Sequence, residues 1–273
     1  MGNSESLIVI TGTDSGIGKS LAGVFLENGY SVLATYLEKP GVKKAVNIQV
    51  DLNKSGDIAK LEKKVSELTA AGKRLSCLVN NAGIALGGPI EDTPLDIFRK
   101  VFEVNYFGLV SLTQRLLPHI IESKGMIIIH GSAAGRVAVP LLSPYVSTKY
   151  ALEGFTDCLR RELLPHGVKT VLLETGGVET PIWEKALKQD ISFVSPKYRK
   201  SMDSFKKRFI QVKKGLTAEQ AARKIFNILK EKNPRPRRII AKSNLRERLI
   251  RSLPDRLLDG AFKKMFGMDY GQS

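Results

Sequence analysis

The chain has 273 residues, 42% of them hydrophobic and 26% charged, with a formal net charge of +16 at neutral pH. That composition is too apolar for a disordered chain, and two cysteines, Cys77 and Cys158, are too few for a disulfide scaffold. No run approaches the ~18 apolar residues that a membrane span needs, and the first residues lack a basic-then-apolar leader, so a cytoplasmic protein is expected.

Leu7–Ile10 reads as the first strand. It runs directly into Thr11-Gly12-Thr13-Asp14-Ser15-Gly16-Ile17-Gly18 and then a helical pattern, Leu21, Ala22, Phe25 and Leu26. Small residues between a strand and a helix let the backbone approach a pyrophosphate, and the helix start offers unpaired N–H groups to it. Gly12, Ser15, Gly16, Ile17 and Gly18 are the expected contacts. Further strands are expected at Val32–Thr35, Val46–Val50, Leu75–Val79, Met126–Ile129, Val168–Leu173 and Arg238–Ile240, separated by helix-length segments. Strands that are apolar on both faces and alternate with helices predict a parallel sheet covered on both sides. The fold class is therefore α/β: one doubly wound, Rossmann-like domain spanning residues 1–273 with about seven strands.

Polar groups fall at the carboxyl ends of these strands, where ligands bind in such sheets. In chain order they are Tyr36, Asp51-Leu52, Asn80-Asn81-Ala82-Gly83, Ser132 and Thr175-Gly176-Gly177-Val178-Glu179-Thr180. Asn105 lies in Glu103-Val104-Asn105-Tyr106, and Tyr145-Val146-Ser147-Thr148-Lys149 opens a helix. Tyr145 and Lys149, four apart, share a helix face, and an ammonium beside a phenol favours the phenolate. Tyr145 is thus expected to titrate below its usual value of about 10 and to pass a proton to or from an alcohol oxygen. Ser132 is placed to donate a hydrogen bond where negative charge develops on that oxygen.

Taken together, these motifs resemble the classical short-chain dehydrogenases/reductases, over roughly Leu7 to Thr180 in order and spacing. The resemblance implies NAD or NADP as cofactor and a catalytic set of Ser132, Tyr145, Lys149 and Asn105. In that set Lys149 also holds the ribose hydroxyls and Asn105 anchors a relay water. It further implies that Asp51 and Leu52 meet the adenine, that Asn80, Ala82 and Gly83 line the adenosine side, and that Gly176, Val178 and Thr180 hold the nicotinamide amide. Thr175 replaces the family's usual proline, which puts the stiffness of that loop in question. At the end of the second strand Tyr36 stands where NAD-preferring relatives commonly carry Asp, and Leu37 where NADP-preferring ones often carry Arg. With Ser15 not basic and Glu38 close by, the balance tilts to NAD.

From Pro181 to Pro236 the chain has no long strand, and Trp183, Leu187, Ile191, Phe193, Val194, Met202 and Phe205 interleave with cations. Residues 181–236 are a candidate lid, suited to a bulky hydrophobic, steroid-, retinoid- or lipid-like alcohol or ketone, or else the core contacts of two short helices. Residues 183–273 hold 24 basic and 9 acidic residues, a net +15. Within them, 243–266 reads as one basic amphipathic helix, fit to pack on the domain or a second subunit or to touch a membrane peripherally. A homodimer or homotetramer is implied by the resemblance. Nucleic acid is not expected as a partner, since no reading motif accompanies the charge. The alternatives are a reductase of small or carrier-linked ketones and a dinucleotide-binding regulator without turnover. The intact Ser, Tyr and Lys speak against the second.

Overall fold

In a computed structural model, residues 3–210 and 215–268 are described. Seven strands form one parallel sheet: β1 (Ser6–Ile10), β2 (Ser31–Tyr36), β3 (Val46–Gln49), β4 (Arg74–Asn80), β5 (Met126–His130), β6 (Lys169–Thr175) and β9 (Arg237–Ile240). Their order is β3-β2-β1-β4-β5-β6-β9, and every expected strand is present within two residues at each end. A separate two-residue pair, β7 (Val178–Glu179) with β8 (Leu216–Thr217), lies beyond β6.

The period-two alternation of a strand divides the core. Ile8 and Ile10 of β1 face a cluster that includes Leu21 and Phe25 of α1 (Gly16–Glu27) and Ile225 and Phe226 of α8 (Ala218–Leu229). Leu7 and Val9 face the opposite cluster, with residues of α2 (Ser55–Ala70), α4 (Gly108–Glu122) and α5 (Ser143–Leu163). Apolar residues on both faces leave these strands no stable place except between two helical layers. The connections reverse direction between β1 and β4, which opens a crevice at their carboxyl ends.

Two segments differ from the sequence expectation. The stretch 181–236 is not one cover: α8 belongs to the body, fixed at its start by a Thr217–Gln220 capping box and packed through Phe226 on Phe25 at 5.2 Å. The cover consists of α6 (Pro181–Leu187) and α7 (Pro196–Ile210). Val194, Met202 and Phe205 are its core, buried in a third cluster with Leu142 and Tyr145. The basic end is two helices, α9 (Asn244–Arg251) and α10 (Asp255–Phe266), because Pro254 cannot continue the ladder of α9.

Candidate active site

The glycine loop is shaped by contacts that exclude side chains. Gly12 and Gly16 have φ of 69° and 57°, in the left-handed region. A Cβ on Gly12 would come within 2.8 Å of the Ala82 Cα, and one on Gly18 would collide with the Gly12 carbonyl oxygen. Asn81 locks the loop from the next strand, its Nδ2 donating to the carbonyls of Thr11 (2.8 Å) and Gly12 (3.1 Å). The Ser15 side chain makes no cap bond to α1, so the first N–H groups of that helix remain available to a phosphate. This bare-backbone cradle fits a dinucleotide pyrophosphate.

At the end expected to take the adenosine, Tyr36, Asp51 and Leu52 line the same cleft, as do Ala82 and Gly83. Asn80 does not belong to it: its side chain is buried and donates to Thr113 Oγ1 at 3.0 Å. Asn81 stands at the cleft. Sequence reading also missed Asp14. Its carboxylate accepts from the backbone N–H of Leu37, Glu38 and Lys39 at 2.8–3.2 Å, setting a negative group against the loop after β2. The only sequence signal was an acidic residue inside a glycine loop.

At the other end, Ser132 follows β5, and Tyr145 and Lys149 project from the first turns of α5. The Ala134 N–H donates to Ser132 Oγ at 3.1 Å, which fixes the oxygen and leaves the hydroxyl proton to point elsewhere. Lys149 Nζ donates to the His130 carbonyl at 2.6 Å and lies 5.5 Å from the Tyr145 ring centre. The expected pull of Lys149 on Tyr145 is not the dominant effect. Burial pushes the Tyr145 phenol up, opposed by its hydrogen bond with Ser132, while burial draws Lys149 down to about 8. The Lys149 ammonium is buried and spent on a carbonyl, so Ser132, which bonds the phenol itself, is the nearer tuning group.

Asn105 sits in a π-helical turn, Glu103–Phe107, between α3 (Leu95–Phe102) and α4. It does not line the cleft. Its carboxamide accepts from the Ile84 N–H at 2.8 Å and donates to the Ile84 carbonyl at 2.9 Å and to Thr148 Oγ1 at 3.2 Å. With those bonds made, the side chain clamps the cleft wall to α5, both its amide protons being taken by Ile84 and Thr148. Gly176, Val178 and Thr180 do line the cleft. Despite Thr175 in place of proline, their loop is tied down: the Gly176 N–H donates to the Ile240 carbonyl at 3.0 Å, and Val178 pairs with Leu216.

The cleft holds about 360 Å³ and runs from Asp51 past Ser132 and Tyr145 to Trp183. Residues 6–191 match the family model described as short chain dehydrogenase. The chain is a short-chain dehydrogenase. This dehydrogenase is 37% identical over 270 residues to the NADPH-dependent 3-dehydrocapnine reductase of Ornithobacterium rhinotracheale, covering 94% of this chain and 95% of that one. Its fold is similar to that of a short chain dehydrogenase/reductase from Burkholderia phymatum in complex with NAD (TM-score 0.78, 18% identity, 96% of each chain). It is also similar to that of a Burkholderia cenocepacia short chain dehydrogenase in complex with NADP (TM-score 0.74, 20% identity, 96% of this chain and 99% of that one). The dehydrogenase is accordingly an NAD(P)-dependent oxidoreductase of alcohol and carbonyl groups. Among the described residues no cluster could hold a metal ion, and no helix is long and apolar enough to cross a membrane.

Proposed function

We propose that this dehydrogenase interconverts a bulky hydrophobic alcohol and its ketone or aldehyde, with Tyr145 as acid/base. The observation that carries this reading is the far end of the cleft. There the Trp183 ring stands edge-on to the Tyr145 ring at 5.9 Å, and Ile182, Ala186, Ala85 and Leu86 complete an apolar wall. A substrate carbonyl beside Tyr145 would therefore carry an apolar body. When bound, nicotinamide supplies or accepts the hydride. Tyr145 Oη delivers or removes the proton at the substrate oxygen, and Ser132 Oγ, held by Ala134, donates to that oxygen as charge grows on it. Lys149 lines the same cleft with its ammonium on the His130 carbonyl and would meet the ribose hydroxyls, and Gly176, Val178 and Thr180 line the part that would take the nicotinamide amide. The 37%-identical relative is named a 3-dehydrocapnine reductase, which supports the reductive direction.

For the cofactor, the carboxylates of Asp14 and Glu38 at the loop after β2 favour NAD over a 2′-phosphate. The same relative is named NADPH-dependent, and Lys185, paired with Glu38 at 2.7 Å, is the cation that could turn to a phosphate. A homodimer or homotetramer in the cytoplasm completes the reading. The test is a panel of steroid, retinoid, long-chain and small ketones with NADH and NADPH, followed at 340 nm. The expected result is kcat/KM rising with apolar area and higher with NADH. Best turnover on small polar ketones would overturn the substrate class, and higher efficiency with NADPH would overturn the cofactor assignment.

A further inference from the structure

We infer that the outward face of α9 and α10 docks on an anionic lipid bilayer beside the mouth of the active site. Leu245, Leu249, Leu253 and Leu257, at four-residue steps, are 68, 61, 42 and 60% exposed. Neither helix is loose. Arg251 pairs with Glu174 at the end of β6, and the Glu247 carboxylate sits where a Cβ on Gly176 would meet it at 3.2 Å. Phe266 is buried against Phe205 of α7 at 5.7 Å and stacks on Phe262 at 6.0 Å. The helices are thus moored by one side and leave their leucines to solvent. A single exposed leucine is ordinary, whereas Leu245 and Leu249 on α9, Leu257 on α10 and Leu253 on the turn between them give two anchored helices an apolar surface with a purpose.

The charge around these leucines selects the occupant. Residues 242–266 carry seven basic and three acidic side chains. Arg246, Arg248, Arg256, Lys263 and Lys264 are exposed, while one of the three acids, Glu247, is turned toward Gly176. A second copy docking through the same face would bring these cations against their own counterparts across the two-fold axis. An anionic bilayer satisfies both features, because leucines reach the acyl boundary while guanidinium and ammonium groups stay among the headgroups. Position adds the functional consequence. α9 touches the Glu174–Gly176 end of β6 and α10 touches the cover helix α7, so docking would set the cleft against the lipid phase from which an apolar substrate comes. The inference adds a partner to the proposed reaction and does not rest on it.

The experiment is sedimentation of the full chain with vesicles of phosphatidylcholine alone and of phosphatidylcholine with phosphatidylglycerol, alongside size-exclusion chromatography without lipid. Binding is expected only to the anionic vesicles. It should fall about ten-fold for each of Leu249→Ser and Leu257→Ser and roughly five-fold for each of Arg246→Gln, Arg248→Gln and Arg256→Gln. Retained cofactor binding by each variant confirms that it is folded. No binding to either vesicle, or binding lost with the arginines but unchanged by both leucine variants, would overturn the inference. So would a smaller assembly in the Leu249→Ser, Leu257→Ser double variant, which would assign the face to a second copy.

Discussion

Thr175 Oγ1 and His130 Nε2 lie 2.9 Å apart in a hydrogen bond that joins the ends of β5 and β6. Thr175 is the residue that stands where the family usually has proline. A proline stiffens a loop by fixing φ, whereas here a cross-strand hydrogen bond from the neighbouring strand end does the corresponding work. Replacing Thr175 by Val keeps the shape and removes that bond. The expected outcome is a cofactor affinity weakened about five-fold with kcat changed far less, since one neutral hydrogen bond is worth about 1 kcal/mol. Fluorescence titration with the cofactor and a KM-against-kcat comparison check it.

His130 also gives the fold a pH dependence. Burial, with the charge of Lys149 adding to it, pulls the imidazole from 6.5 down to about 3. The unfolded chain therefore binds a proton at His130 between pH 6.5 and 3 where the folded chain does not, so stability falls as pH drops through that window. Melting temperature measured from pH 7 to pH 5 should decline, and His130→Asn should show a shallower decline. An equal slope in both would remove His130 from the account.

Asp14 should shape cofactor choice. Its carboxylate holds three successive N–H groups of the loop after β2, and a phosphate there would meet like charge. Asp14→Ala is expected to shift the NADPH-to-NADH ratio of kcat/KM toward NADPH by about ten-fold or more. Initial rates with both cofactors provide the measurement.

Lys149 should impose an alkaline limit on cofactor binding. With its amine drawn down to about 8 by burial, the ammonium is present below that pH and lost above it. The apparent dissociation constant of the oxidised cofactor, titrated from pH 6.5 to 9.5, should rise above about pH 8. A flat profile would mean that Lys149 is neutral or remote from the bound ribose.

The fold was legible because each buried strand carries branched apolar residues on both faces. Leu7 and Val9 feed one cluster while Ile8 and Ile10 feed the other, and a parallel sheet covered on both sides uses such runs when they alternate with helices. The glycine loop and the Ser132, Tyr145 and Lys149 set were legible because local spacing fixes them to particular strand ends and one helix face. What depends on contacts distant in sequence was not. Asn80 closes β4 and Asn81 follows it, and the inward turn of the Asn80 side chain depends on Thr113, 33 residues away. The role of Asp14 rests on N–H groups 23 to 25 residues on. The titration of Tyr145 was misjudged because spacing reports proximity but not burial, and burial outweighs the neighbouring amine. The last helix read as continuous because its leucine period runs through Pro254, where the backbone cannot follow.

The central claim, that Tyr145 moves the proton, is tested most directly by Tyr145→Phe, comparing kcat with cofactor affinity on the same preparation. Phenylalanine keeps the edge-on packing against Trp183 and removes only the hydroxyl. The account predicts a loss of about 10²–10⁴ in kcat with the cofactor dissociation constant nearly unchanged. Turnover within a few-fold of the parent enzyme would contradict it.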